Sequence, residues 1–397
     1  MSRRMLALLA AAVALVVGAW ALIGNLGDNA GHPGHSSAAP RATSQGGASG
    51  VPVADKAKPL PLRPGERRLT LTMPVPYLPK APTGVGTDDY RCFLLDPKLK
   101  KPAFLTGYDV LPNNADVVHH VILFRADPDR LARARQLDDA SPGAGWTCFG
   151  NSGVEQGAGL DDAPWLGAWA PGGSERRYAK GFGMPLTAGS QVILQVHYNL
   201  LKGASEDQSA VSLRLSRAHS NVRPLHTLLA VAPVELPCRA DHADSALCDR
   251  ATALEDVKKR FGPAGATADL LHLLCGPVKP GAKQSCARSA TRTMTIRAVA
   301  GHMHLLGTSI RLDLIPADGP KRNLLNIKVW NFDNQEAVTI KPVTVHPFDK
   351  IKVTCRHEQY LRDIQPAFES QREDRYVMWG EGSTDEMCLG IVVATFD

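Results

Sequence analysis

The sequence predicts an all-β protein built from two antiparallel β-sandwich domains. Its 397 residues exceed what one ordinary hydrophobic core holds, so two domains are expected. Short runs such as "RLTLTM" and "SQVILQVHYNL" alternate apolar and polar residues with a period of two, and turn residues separate them. The 35 glycines and 29 prolines favour many turns and few long helices.

The N-terminus is expected to direct export. Two arginines precede an unbroken apolar run over residues 5–23, the layout of a secretory signal, and "AWA" at Ala19–Ala21 offers a cleavage site. The same run is also long enough to remain as a membrane anchor. We assign residues 1–24 to a signal peptide or signal anchor. Either outcome makes the rest of the chain periplasmic or extracellular, secreted or tethered through residues 5–23.

The remaining chain divides into a tether and two β-rich regions. Residues 25–66 are rich in Gly, Ala, Ser and Pro without hydrophobic periodicity, which is typical of a flexible linker. Residues 67–218 and 219–397 each contain a series of strand-like runs and are predicted to form the N-terminal and C-terminal sandwiches.

A helical insertion interrupts the second region at about residues 237–292. "ALEDVKKRF" and "ATADLLHLL" have helical spacing, and the segment holds four of the eight cysteines. Two bridges within it have three possible pairings. Such insertions are more often plain surface structure than a lid over a site, so we expect a surface excursion and keep the lid as the alternative.

Charge and cysteine usage exclude some classes of protein. The net charge of +6 is spread along the chain without a Lys/Arg block, so a nucleic-acid partner is not expected. An even number of cysteines in an exported chain predicts disulfides. No CxxC pair occurs, which argues against a zinc ribbon.

Two histidines lie two residues apart in "AGHMHLLG". On a strand, His302 and His304 leave the same face, whereas Met303 points the other way. The aliphatic flanks argue against a pair of surface histidines, because free imidazoles beside such packing need partners. The spacing therefore predicts a two-point metal chelate.

Three further histidines interrupt strand-like segments. His119 and His120 are adjacent in "DVVHHVILF", and His197 lies in "LQVHYNL". Neighbouring strand residues face opposite sides, so the adjacent pair could meet one metal only where the backbone twists or through different ring nitrogens. A lone histidine such as His197 is more often a core residue than a metal ligand. Only the presence of the other histidines makes it a candidate ligand.

Met387, in "GEGSTDEMCLGIVVATF", could distinguish copper from zinc. Imidazole-rich sites suit either metal, whereas a thioether beside imidazoles favours Cu(I). A buried methionine is usually core filler. As a ligand, it would indicate a copper site that cycles between oxidation states and activates oxygen.

The four motifs "DVVHHVILF", "LQVHYN", "GHMHLLG" and "STDEMC", in this order, resemble the copper type II, ascorbate-dependent monooxygenases. This is the group of the peptidylglycine α-hydroxylating and dopamine β-monooxygenases. The similarity extends from about Pro74 to Asp397 and is weakest across the insertion. It implies two jelly-roll-like sandwiches facing each other across a solvent-filled cleft.

The resemblance also implies two copper ions per chain, each held by its own set of ligands. The electron-supplying copper would be held in the first domain, and the oxygen-binding copper in the second, where the catalytic residues would be the ligands themselves. The implied metal ligands are His119, His120 and His197 for the first ion, and His302, His304 and Met387 for the second.

Further expectations follow from the resemblance. Ascorbate would reduce both ions, and O2 and substrate would meet at the second. The implied disulfides are Cys92–Cys148 and Cys355–Cys388. Gln195 precedes His197 by two residues on the same strand face, and we expect it to orient a ligand or water.

The chain departs from the peptide-hydroxylating members at positions that grip the substrate carboxylate. An arginine before the His-x-His pair is Ala300 here, and an asparagine and a tyrosine after "DEMC" are Leu389 and Ile391. We therefore expect a neutral or hydrophobic small substrate, phenolic or aliphatic, instead of a peptide. Competition between amidatable peptides and neutral aromatics tests this.

Two other functions remain open from the sequence. An exported copper-binding or copper-sensing protein would keep both metal sites without turnover, and the replaced substrate residues are compatible with it. A zinc hydrolase would use the histidines, but the chain has no HExxH arrangement and this reading leaves Met387 unexplained.

Overall fold

The structure is a computed structural model that describes residues 58–81, 87–154, 159–217 and 221–397. The predicted signal or anchor and residues 25–57 of the predicted linker lie outside the described residues. The all-β prediction is confirmed, because antiparallel sheets form most of the described chain and helices are few and short.

Twenty-one strands occur in the described ranges, and several are only two residues long. They are β1 Glu66–Thr72, β2 Asp88–Leu95, β3 Ala103–Leu111, β4 Val118–Ala126, β5 Trp146–Thr147, β6 Trp165–Trp169, β7 Arg176–Arg177, β8 Phe182–Leu186, β9 Gln191–Asn199, β10 Ala210–Arg217, β11 Arg223–Pro224, β12 His226–Val231, β13 Glu235–Leu236, β14 Lys283–Ser289, β15 Met294–His302, β16 Gly307–Ile315, β17 Arg322–Ile327, β18 Val338–Val345, β19 Lys350–His357, β20 Val377–Met378 and β21 Leu389–Phe396. The α-helices in the same ranges are α1 Leu131–Asp139, α2 Arg250–Phe261, α3 Thr267–Cys275 and α4 Leu361–Ile364.

The first sandwich pairs a six-stranded with a five-stranded sheet. One sheet has the order β1-β10-β3-β8-β11, with β7 added on β3, and the other has the order β5-β2-β9-β4-β6. Apolar residues of alternate strand positions, such as Leu105, Leu123, Leu194 and Leu213, pack between them. Strand β11, which lies beyond residue 218, pairs in parallel with β8 of this sandwich.

The second sandwich has two four-stranded sheets, ordered β12-β21-β15-β18 and β14-β19-β16-β17. Its core includes Ile296, Val299, Leu312, Val353 and Val392, all essentially inaccessible to solvent. The two central strands are β15, which ends at His302, and β21, which begins two residues after Met387. This places both predicted ligand segments at the same end of one sheet.

The helical insertion is not plain surface structure, so that expectation is wrong. Ala253 and Leu254 of α2 and Leu271 of α3 are buried in one apolar cluster with Trp165 of the first sandwich and Met387. The amphipathic helices therefore cover a face shared by both sandwiches. The helical region also ends earlier than predicted, since β14 at Lys283–Ser289 lies within 237–292.

All eight cysteines are paired in disulfides. The structure joins the two pairs implied by the resemblance, and it pairs the insertion cysteines locally. The bridges are Cys92–Cys148, Cys238–Cys248, Cys275–Cys286 and Cys355–Cys388. Four disulfides are characteristic of proteins that mature in an oxidising compartment.

Among the helices of the described ranges, none combines the length and apolarity needed to traverse a bilayer.

Candidate metal centre and cavity

A β-bulge brings the adjacent histidines of β4 together. In the pairing of β4 with β9, Val118 lies opposite Tyr198 and His120 lies opposite His197, so His119 is an extra residue without its own partner. A bulge twists the strand and redirects side chains that regular pleating would send to opposite faces. This irregularity answers how two neighbouring imidazoles share one site.

The three histidines form a group with the dimensions of a metal site. One ring nitrogen from each of His119, His120 and His197 lies within 4.8 Å of the others. The side chains are only 8%, 9% and 0% exposed. Nδ1 of His119 and Nδ1 of His197 have no hydrogen-bond partner, and Nε2 of His119 has only the exposed carboxylate of Asp333 nearby, at 3.4 Å. Buried polar nitrogens without partners are costly, and a bound cation would satisfy them.

Asp88 determines which nitrogen of His197 is free. His197 Nε2 lies 2.7 Å from Asp88 Oδ1 and donates to it, which leaves Nδ1 as the ligand atom. Burial alone would raise the pKa of Asp88, but hydrogen bonds with His197 and Ser383 outweigh burial and hold that pKa below its usual range. Tyr90 stacks on the imidazole, with centroids 4.1 Å apart and planes 6° apart. The ring is thereby fixed on two sides.

We expect the change Asp88→Asn to weaken copper binding at this group by roughly 10–100-fold, because a neutral amide accepts a weaker hydrogen bond and lowers the basicity of the imidazole. Competition with a chromophoric Cu(I) chelator measures the affinity. Ser383→Ala is the matched control, since it removes a hydroxyl donor to Asp88 but keeps the bond to His197. Equal affinities of the Asn variant and the unmodified protein would contradict the orienting role.

The His-x-His pair projects from the end of β15 as the spacing predicts. Met303 is fully buried in the core, and His302 and His304 lie on the other side with ring centroids 5.1 Å apart. His302 Nδ1 donates to Gln335 Oε1 over 2.6 Å, so its Nε2 remains free. Nδ1 of His304 is buried without a hydrogen-bond partner. Each ring therefore keeps a nitrogen available for a metal.

Glu386 connects the histidine pair to Met387. Its buried carboxylate accepts backbone N–H groups from His304 at 3.0 Å, Leu306 at 2.6 Å and Met387 at 3.1 Å. His357 lies 3.3 Å from the same carboxylate. Three N–H donors on one carboxylate form a strong charge-assisted network. This network holds the segments that carry the three predicted ligands of the second group.

Both groups meet at one cavity of about 360 Å³ between the sandwiches. His120 of the first group and His302, His304 and Met387 of the second line it. The cleft is narrow at this point, because the rings of His120 and His302 are in edge-to-face contact with centroids 5.7 Å apart. The rest of the wall is mainly apolar, with Ile122, Phe124, Leu160, Trp165, Leu229, Val231, Leu271 and Leu389.

The imidazoles of His120, His197, His302 and His304 are held in the neutral form. Burial lowers the pKa of His197 to about 4 and that of His302 to about 3. Burial likewise lowers the pKa of His304, and lowers that of His120 well below its ordinary value, with neighbouring imidazoles adding to the effect at His120. A neutral imidazole is the form that binds a metal. The rings are thus ready as ligands at neutral pH.

The free energy of unfolding of the copper-free protein should carry a contribution from these histidines. The unfolded state takes up a proton at each near pH 6.5, whereas folded His302 takes one up only near pH 3. The contribution is therefore complete above pH 6.5 and falls with pH below it, by up to about 1.4 kcal/mol per pH unit for each such histidine.

Urea unfolding of the copper-free protein at several values between pH 7.5 and 5 measures this slope. His302→Gln should reduce the slope by about one histidine's share, whereas His346→Gln, an exposed histidine, should not. The buried Glu381, whose pKa is raised, contributes with the opposite sign in both proteins and cancels in the comparison. Identical slopes for His302→Gln and the unmodified protein would contradict the assignment.

The residues expected to influence substrate choice lie in two places. Leu389 lines the main cavity. Ala300 and Ile391 face each other across β15 and β21 and line a neighbouring cavity of about 130 Å³. Gln195 also lines the main cavity, and its amide lies 3.5 Å from Asn151 O and from Cys148 Sγ. These hydrogen-bond partners lie outside the predicted ligand set.

Several residues of the site were missed by sequence analysis. Asp88 and Gln335 fix the ring orientation of His197 and His302, and Phe332 stacks on His119 with centroids 4.2 Å apart. Glu381 lies buried in the cavity wall. Asp88 is the first residue of β2, the strand that carries Cys92, but nothing in its sequence spacing relates it to His197. Glu381 had one weak signal, an acidic residue between two glycines before the methionine motif.

The donors present fit copper at both groups. Three clustered imidazoles suit a copper ion, and two imidazoles with a thioether suit one that is stable as Cu(I). Met387 is 6% exposed and lines the same cavity as both imidazoles. A zinc hydrolase would not account for this sulfur.

Comparisons with known proteins give no family. No family model matches the sequence, and no curated protein matches it. Weak structural likenesses are to an allantoicase (10% identity, 67% of this chain and 74% of that chain, TM-score 0.17), a Bacillus subtilis oxalate decarboxylase mutant (8%, 86% and 76%, 0.17) and a Paenibacillus xanthan lyase (9%, 80% and 25%, 0.17). Such TM-scores do not establish a shared fold.

Proposed function

We propose that this protein is a copper-dependent monooxygenase that hydroxylates a C–H bond of a neutral or hydrophobic small molecule. O2 is the oxidant, and ascorbate or another one-electron reductant is the electron donor. The supporting observation is convergence: two groups of predicted ligands from four distant segments meet at one cavity. His120 and His302, which represent the two groups, are in ring contact there.

His119, His120 and His197 would hold one copper ion, and His302, His304 and Met387 would hold the other. Bound copper would supply one-electron storage at each group and oxygen activation at the second. The protein's part is to present neutral imidazoles in fixed orientations. Asp88 accepts a hydrogen bond from one ring nitrogen of His197, and Gln335 accepts one from His302. The other nitrogen of each ring is thereby unprotonated and free to bind a metal.

The cavity wall provides the substrate site. Ile122, Phe124 and Leu271 offer an apolar surface for a hydrophobic body, next to the His302 and His304 rings. Leu271 of α3, from the insertion, belongs to this wall. Apolar side chains beside the reactive group would limit side reactions with solvent.

The overall reaction balances with two external electrons. R–H, O2, two electrons and two protons give R–OH and water, so one oxygen atom enters the C–H bond and the other leaves as water. Two molecules of ascorbate supply one electron each. Two bound copper ions that each store one electron would supply the two electrons that the reaction needs.

The proposal is tested by supplying ¹⁸O₂, ascorbate and a panel of neutral aromatic and aliphatic molecules, with detection of products by mass spectrometry. One ¹⁸O atom per product and two electrons consumed per product are expected. Copper analysis should give about two ions per chain. Ascorbate oxidation without any hydroxylated product would instead indicate an exported copper-binding protein that lacks turnover.

We also propose that the protein functions outside the cytoplasm, either secreted or tethered through residues 5–23. The four disulfides and the signal-like N-terminal sequence support this.

A further inference from the structure

A buried carboxyl group in the cavity wall has no role in the proposed metal chemistry. Glu381 is 4% exposed and lines the cavity together with His302 and Met387. It is six residues from Met387 in sequence and belongs to neither ligand group. A carboxyl group in an apolar wall is costly to bury without compensation.

The bonding of Glu381 is incomplete. The side chain of Trp379 donates one hydrogen bond to it, and Oε2 is buried without a hydrogen-bond partner. No cationic side chain of the described ranges forms an ion pair with it, whereas nearby Asp385 is fully paired with Arg260 at 2.5 and 2.7 Å. Oε2 of Glu381 therefore has no partner within the described residues and no place in either proposed ligand group.

The carboxyl group of Glu381 lies close against Gly150. A Cβ at Gly150 would lie 2.5 Å from Glu381 Oε2, and Gly150 has φ +64°, a conformation that favours glycine. Gly150 also lines the cavity. The absence of a side chain there leaves room for the carboxyl group at the wall.

We propose that Glu381 is the specificity-determining residue of this cavity, and that it hydrogen-bonds the hydroxyl head group, phenolic or alcoholic, of an otherwise apolar substrate. This inference rests on the proposed function, since it names the substrate class for the same site. A hydroxyl group both donates and accepts, as a neutral carboxyl group does, so the two groups satisfy each other.

Charge considerations favour a neutral head group over an amine. Burial, with a smaller effect from the negative charge of Asp385, raises the pKa of Glu381 to about 8, so the group is mainly neutral at pH 7. A cationic ligand would have to be desolvated beside the metal-binding imidazoles, where bound copper would repel it. A carboxylate ligand would face Glu381 and Asp385, both acidic.

The test compares equilibrium binding of three probes, 4-ethylphenol, ethylbenzene and 4-methylbenzylamine, by calorimetry. The full-length protein is used as isolated, without oxygen or reductant, so no turnover is needed. We expect 4-ethylphenol to bind roughly tenfold more tightly than ethylbenzene, the gain of one well-made buried hydrogen bond. Glu381→Gln should keep this preference, because the amide also donates and accepts. Glu381→Leu should reduce the ratio to near one.

The matched control is Glu369→Leu, an exposed glutamate that should leave the ratio unchanged. Thermal melting checks folding, and Glu381→Leu should fold, because it replaces an incompletely bonded buried carboxyl group with an apolar one. Equal affinities of the phenol and the hydrocarbon, or an unchanged ratio in Glu381→Leu, would overturn the inference. Tighter binding of the amine would replace it with recognition of a cation.

The two proposals fail separately. A phenol preference that depends on Glu381, together with no ¹⁸O incorporation, would leave the binding role and remove the monooxygenase function. Hydroxylation without a phenol preference would leave the monooxygenase function and remove the binding role of Glu381.

Discussion

His302→Ala is expected to abolish product formation and to reduce the copper content from about two ions to about one per chain. In the proposed function His302 is one of three ligands at the oxygen-activating group, and a small methyl group cannot replace the imidazole. The change also leaves Gln335 Oε1 without its 2.6 Å donor. We expect turnover to fall by at least about a thousandfold, since the group stabilises charge in the reaction directly.

Turnover is measured as ¹⁸O-labelled product, and copper by atomic emission on protein purified without added metal. His346→Ala is the matched control, because His346 is an exposed histidine of the same sandwich. It should keep full activity and both ions. Normal activity of His302→Ala, at either copper content, would refute the assignment of this group as the reaction site.

Met387→Ile is expected to remove at least about 99% of turnover while most copper remains bound. Five of the six proposed ligands stay, and isoleucine has a volume that the buried position accepts with little loss of stability. The backbone N–H of residue 387 can still donate to Glu386. What is lost is the soft sulfur that favours Cu(I), so the redox balance of the second group shifts while its binding largely persists.

The control for this change is Met294→Ile, a buried methionine in the core of the same strand that leads to His302. It alters core packing by the same substitution away from the cavity and should remain active. X-ray absorption spectra of the reduced protein should show a copper–sulfur contribution that Met387→Ile lacks. Full activity in Met387→Ile would show that the sulfur is not a working ligand.

The parts of the site that follow from local periodicity could be predicted from sequence. His302 and His304 share a face because strand residues two apart do so, and Met303 is buried on the other side as that rule requires. His119 and His120 can share one site only if the regular strand pairing is interrupted. The sequence shows that an interruption is needed but not where it lies. The bulge opposite His197 supplies it.

Other features depend on contacts between distant segments and leave no local pattern. Asp88 reaches His197 across 109 positions in sequence, and Gln335 reaches His302 across 33. The insertion helices are amphipathic, but which surface they cover depends on how the sandwiches meet. The pairing of their cysteines likewise depended on tertiary structure, since three connectivities were equally compatible with the sequence.

The bond between Asp88 and Ser383 has a mechanical consequence for the whole protein. Ser383 donates its backbone N–H at 3.1 Å and its hydroxyl at 2.8 Å to the same carboxylate that orients His197, and it lies four residues before Met387. Any hinge motion that parts the sandwiches here must strip this carboxylate of donors and loosen the imidazole it steadies. Metal bound at the first group would therefore resist separation of the two sandwiches. The ease of that separation would depend on how fully the first group is occupied by metal.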